Sequence, residues 1–206
     1  MHCVFCPSDR GITGDHIPPR CFFDDPPPPD LITVPCCEKC RLRDQKEDRL
    51  IRNLFISIVQ TESHRAVERQ LAAKRDRSFA DDRMMAQRLA KMMVPVLIRD
   101  RAGKPVRVAP GFNLDTPVVA RFLERVCRGV IFARHQLPFF PAKFTWVQQP
   151  GVPFSLMSRA EELIKQRAVG DIFHYFITET DEGDWFVVLT FFESLQMLGK
   201  LTLTKP

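Results

Sequence analysis

Three features of the sequence predict an α+β fold. Six of the seven cysteines lie in the first forty residues, apolar residues then recur at helical spacing, and the last forty residues alternate in the manner of β-strands. The expected order is a small metal-stapled head, a helical middle, and a C-terminal helix followed by an antiparallel β hairpin or sheet. The expected boundaries are 1–60, 61–110 and 111–206.

The head is irregular. Pro18-Pro19 and the run Pro26, Pro27, Pro28, Pro29 exclude helix and central strand there. After Cys40 the texture changes: Leu50, Leu54 and Ile58 recur four apart beside Ile51, Phe55 and Val59, an amphipathic helix. Helical texture returns up to Leu71 and again from Asp81 to Met93, where Pro95 ends it. Residues 94–98 and 104–110 read as extended pieces. Thr116-Pro117 reads as a hydroxyl cap with proline in the first turn. The helix it opens carries Val119, Phe122, Leu123, Val126, Cys127, Val130 and Ile131 on one broad face. Cys127 in that stripe reads as a buried apolar residue. Residues 171–178, 185–192 and 195–204 read as three strands, the first two joined by a loop longer than two residues.

The 206 residues are 45% hydrophobic and 27% charged, a globular composition that rules out a wholly disordered chain. The run 118–132 is the longest apolar candidate and is broken by Arg121, Glu124, Arg125 and Arg128. No uncharged stretch reaches the ~20 residues of a membrane span, and no membrane partner is expected. The start Met-His-Cys-Val-Phe-Cys lacks a basic and apolar leader, so cytoplasmic residence is the expectation. The net charge of +5 suits a polyanionic partner.

An odd cysteine count in such a chain argues against a disulfide framework. Cys3-x-x-Cys6 and Cys37-x-x-Cys40 have the spacing of two knuckles of a four-thiolate zinc site. Cys36-x3-Cys40 competes, but the two-residue spacing of Cys37 matches the first knuckle. Cys21 reads as unliganded. Between the knuckles lies Asp15-His16: a carboxylate can hold a divalent ion, and a neutral imidazole can take a proton from water. Arg41, Arg43, Lys46 and Arg49, with Arg52 further on, give the helix after Cys40 a basic side able to follow a phosphate backbone. Lys74, Arg75 and Arg77 form a second, smaller basic cluster.

Taken together, the Cys-x-x-Cys knuckle, Asp15-His16-Ile17-Pro18-Pro19, and Leu31 to Cys40 followed by a charged helix resemble the zinc-knuckle branch of the HNH endonuclease family. The likeness covers residues 1 to about 55. More loosely, Phe122 to Phe132 and the aromatic C-terminal strands resemble the tails of uncharacterised bacterial members. The resemblance implies a ββα-metal head and cleavage of DNA phosphodiester bonds. Cys3, Cys6, Cys37 and Cys40 would hold a structural Zn²⁺. Asp15 would ligate a catalytic Mg²⁺ or Mn²⁺, and His16 would be the general base.

Two positions depart from the family pattern. Asp30 stands where asparagine is usual; an aspartate there can accept a hydrogen bond from His16. Arg41 stands where asparagine or histidine completes the metal site, and arginine cannot ligate a cation. Asp44 is the nearest substitute ligand. These departures define an alternative: an HNH fold with impaired catalysis, kept as a nucleic-acid- or protein-binding module in a larger assembly. The C-terminal region is the place for a protein partner.

Overall fold

The computed structural model describes residues 2–58, 61, 64–100, 102–148 and 168–204. It is mixed α and β. Strands β1 (Ile12–Ile17) and β2 (Ile32–Cys37) form an antiparallel hairpin, and helix α1 (Glu38–Phe55) follows β2 without a gap. The long proline-rich loop between the strands is pinned by a 3-10 turn at Arg20–Phe22. This turn drives Phe22 into the core, where its ring lies 5.4 Å from Phe122, 5.8 Å from Phe191 and 6.0 Å from Phe55. Aromatic contacts of this kind tie the loop to three other elements.

A π-helical turn (Val67–Leu71) leads into α2 (Ala72–Asp81), and α3 (Arg83–Ala90) follows. The Asp82 side chain caps α3 by accepting from the Met85 N–H. The extended pieces at 94–98 and 104–110 are parts of a two-stranded ribbon, β3 (Met93–Arg99) and β4 (Pro105–Phe112), which pairs with no other described strand.

Helix α4 (Pro117–His135) starts as its residues require: the Thr116 side chain accepts from the Val119 N–H, and proline occupies the first turn. Five strands complete the fold: β5 (Ala142–Gln148), β6 (Ala168–Val169), β7 (Phe173–Glu179), β8 (Trp185–Phe191) and β9 (Leu195–Leu203). They form one antiparallel sheet in the order β5-β9-β8-β7-β6. The expected strand run at 185–192 ends one residue early, because Phe192 and Glu193 adopt positive φ in the turn to β9.

The apolar core is continuous from head to sheet. Val4, Ile17 and Val34 of the head share one buried cluster with Leu54 of α1, Val126 of α4 and Phe191 of the sheet. Cys127 is buried in it, as its place in the stripe implies. Helix α4 approaches β1 closely at Gly129, where a Cβ would lie 2.5 Å from Ile17 Cγ1. That contact requires a residue without a side chain, and it brings the preceding turn of α4, with Arg125, against the end of β1. Among the described residues no helix is long and apolar enough to cross a membrane.

Candidate functional site

Cys3, Cys6, Cys37 and Cys40 converge. Their four sulfur atoms all lie within 4.8 Å of one another, and Cys6 Sγ and Cys37 Sγ are 3.6 Å apart. Tetrahedral zinc with bonds near 2.3 Å sets its ligand sulfurs about 3.8 Å apart, so the set fits such an ion by spacing and by donor softness. Local folding makes the cluster. Cys37 is the last residue of β2 and the N-cap of α1, which puts Cys40 in the first helical turn. The N-terminal knuckle closes through Cys3 N–H to Ser8 O at 2.8 Å, and the Phe5 N–H donates to Cys3 Sγ at 3.4 Å. The Val4 N–H bonds Pro35 O at 3.0 Å, tying this knuckle to β2. Burial pushes the Cys37 thiol up, but the backbone at Cys40 and the neighbouring thiols bring it down to about 7. Cys36 lies outside the set. Its Sγ turns to the Cys37 carbonyl, 3.4 Å away, and burial raises its pKa.

A second feature is a cleft of about 510 Å³ between β1, the proline-rich loop and α1. Asp15 and His16 line one wall; Arg41, Lys46, Asp48 and Arg49 line another; Arg20 stands at the loop side. Helical geometry explains the second wall, since Arg41, Gln45, Asp48 and Arg49 recur at three to four residues and share a face. The cleft therefore carries four guanidinium or ammonium groups against two carboxylates. His16 sits at the end of β1 opposite Thr33, with 3.2 Å between its Nδ1 and Thr33 Oγ1. That leaves Nε2 as the ring nitrogen available for chemistry in the cleft.

Asp15 is held from behind. Its Oδ2 accepts from Arg125 Nε at 2.9 Å and its Oδ1 from Arg125 Nη2 at 3.2 Å. The same guanidinium donates to Asp48, from Nη1 to Oδ1 at 2.6 Å and from Nη2 to Oδ2 at 3.3 Å. Arg125 is only 5% exposed. Burial works against its charge, and the Asp48 and Asp15 carboxylates more than offset that, so its pKa rises. One cation serves two carboxylates, and the more enclosed of these responds. Burial first, then the nearby charges of Asp15 and Asp44, push Asp48 up to about 6 against the pull of Arg125. Cys21, also on the cleft wall, is raised to about 12, by burial first and then by Asp48.

Three expected site residues are placed elsewhere. Asp30 is exposed in the loop before β2, and His16 Nδ1 meets Thr33 rather than Asp30. Asp44 does not reach the cleft. It is buried on the α4 side of α1, takes a two-pronged bond from Arg43 at 2.7 and 3.0 Å, and lies 3.9 Å from Arg125 Nε. Those pairs turn its carboxylate toward Arg43 and Arg125. Arg43 is spent on that pair and does not join the cleft cations. Arg41, Lys46 and Arg49 do join them, and the Nε of Arg41 is enclosed with no hydrogen-bond partner. Sequence reading missed Arg20, Asp48 and Arg125. The signal for Arg125 was a charge within an apolar helical stripe, which demands a buried partner but does not say which.

Comparisons with family models, with curated proteins and with solved structures give no match. The fold and site thus define the chain as an α+β protein with a four-cysteine cluster able to hold a metal such as zinc, and a basic cleft beside it.

Proposed function

We propose that the protein is a metal-dependent endonuclease of the HNH type that hydrolyses DNA phosphodiester bonds, with His16 as general base. The observation that carries this reading is the position of His16: an imidazole fixed through Nδ1 at the wall of a cleft whose other walls bear Arg20, Arg41, Lys46 and Arg49. Those cations suit a phosphate backbone, and a neutral imidazole can take the proton of a water attacking phosphorus. Asp15 and Asp48 offer hard oxygen donors on the same cleft. Each keeps lone pairs beyond its bonds to Arg125, and Mg²⁺ or Mn²⁺ binds through one or two carboxylates plus phosphate oxygens and water. Such an ion supplies Lewis-acid charge at the phosphate. Asp15 also accepts from the His16 N–H at 3.1 Å, so Arg125, by fixing Asp15, fixes the backbone that carries the base. The four-cysteine cluster would hold a structural Zn²⁺ and lock β2 to the start of α1.

The test is cleavage of plasmid and single-stranded DNA with Mg²⁺ or Mn²⁺, wild type beside His16→Ala. A loss of at least ~10²-fold is expected. Equal rates in the variant would remove His16 from the chemistry.

One observation favours a second reading. The Arg125 guanidinium engages both oxygens of Asp15, and Arg41 adds another cation nearby. Both disfavour a divalent ion, as they would in a head that binds nucleic acid or a protein without cutting. DNA binding with no cleavage under any divalent ion would establish that reading over the first.

A further inference from the structure

The β3–β4 ribbon is unlike the rest of the surface. Among the described residues it joins no other sheet, and it exposes aliphatic side chains: Leu97 at 45%, Val106 at 62% and Val108 at 65%. Leu97 and Val108 are cross-strand partners and so share a face. A two-stranded ribbon needs a third element to be stable on its own; the base of this one is closed by the Asn113 N–H bonding Met92 O at 2.7 Å, and there Phe112 and Met92 pack against the main core.

Its tip is basic. Lys104 and Arg107 stand there against the acid Asp100. That acid is engaged in the turn: its Oδ1 accepts from the Ala102 and Lys104 N–H groups, both at 2.9 Å. Lys104 and Arg107 are exposed, and neither has an ion-pair partner among the described residues.

We propose that this ribbon is a DNA-binding arm that enters a groove of duplex DNA, a contact separate from the cleft and independent of His16 chemistry. Charge complementarity selects the partner, since the excess of cations matches phosphates. Shape agrees. Strands of seven and eight residues reach about 25 Å, and a two-stranded ribbon fits the ~12 Å major groove. The exposed valines and leucine suit sugar edges and thymine methyl groups. Pro95, Pro105 and Pro110 lie on the two strands and carry no N–H to offer an added strand, so pairing with another chain's β-edge is the poorer fit.

The experiment measures affinity for a short labelled DNA duplex against salt, using the full zinc-loaded chain and the surface variant Lys104→Ala/Arg107→Ala. The expected result is at least about tenfold weaker binding at 0.1 M salt and a log–log salt slope smaller by about 2, the loss of two phosphate contacts. Unchanged affinity and slope would overturn the proposal, as would a wild type that binds no duplex at low salt. Val106→Asp/Val108→Asp separates the other occupant. If it splits a wild-type dimer and leaves DNA affinity intact, the ribbon is an interface between copies and the proposal falls. Cleavage lost in His16→Ala alongside normal arm behaviour, or the reverse, keeps this inference and the cleft reading apart.

Discussion

Arg125 on α4 holds Asp15 on β1 through two hydrogen bonds of 2.9 and 3.2 Å, across 110 residues of sequence. The pair welds the C-terminal half of the chain to the wall of the cleft, and Asp48 of α1 completes the fork. Replacing Arg125 by alanine leaves two enclosed carboxylates without their cation. Breaking a buried pair from one side costs about 3–5 kcal/mol, and urea unfolding should show a loss in that range. Lysine should rescue little, because a point charge cannot make the four-bond fork. A loss below about 1 kcal/mol in Arg125→Ala would mean that solvent already screens the cluster.

The pH dependence follows from Asp48. Its pKa is raised from an ordinary 3.8 to about 6, so between these values the folded chain binds more protons than the unfolded one. Stability contributed by this group therefore falls as pH rises through 6, and the full cost is present above it. Asp48→Asn removes the term. Relative to wild type, the variant's stability should rise by about 1 kcal/mol from pH 5 to pH 7.5, since about one unit of the shift lies above pH 5 and each unit is 1.36 kcal/mol. Urea unfolding across that window, with zinc retained, reads it. A difference that moves the opposite way would show that Arg125 holds Asp48 ionised.

Metal removal should act locally. The thiolate set binds the 2–11 segment to β2 and the first turn of α1, whereas Val4, Ile17 and Val34 also belong to the main core. Purified protein should contain one zinc per chain, because structural zinc supplies local folding energy. Cys40→Ala should lose it and expose the amides of the knuckles to hydrogen exchange, while α4 and the sheet stay protected. Uniform loss of protection would make the head and the sheet one cooperative unit.

The sequence carried the zinc spacing, the start and stripe of α4, and strands β7 to β9, because each is written in local chemistry: cysteine intervals, a Thr-Pro cap, alternating aromatic and β-branched residues. It did not show β5, since Ala142–Gln148 pairs with β9 across roughly fifty to sixty residues. The split of α1 into two faces was within reach. Arg41, Gln45 and Arg49 recur toward the cleft and Glu47 lies away from it, while Asp44 and Asp48, four residues apart, share the intervening face that meets Arg125. Arg125 was out of reach, because a buried charge announces a need for partners and a single sequence does not say which carboxylates, 77 and 110 residues away, will meet it.

Arg41 separates the two functional readings. It lines the cleft with an enclosed, unpartnered Nε, at the position where the proposed nuclease reading calls for a neutral ligand. Two unit charges about 4 Å apart interact by roughly 4 kcal/mol at an effective dielectric of 20, and a divalent ion doubles that. The long side chain can swing outward and recover part of the cost. Arg41→Asn should therefore tighten Mn²⁺ binding, read by calorimetry, and raise the cleavage rate, while DNA affinity falls slightly through loss of one phosphate contact. A lower cleavage rate with unchanged Mn²⁺ affinity would instead make Arg41 a clamp on the phosphate in the transition state. No cleavage from either protein, with DNA still bound, would place the chain with the binding modules.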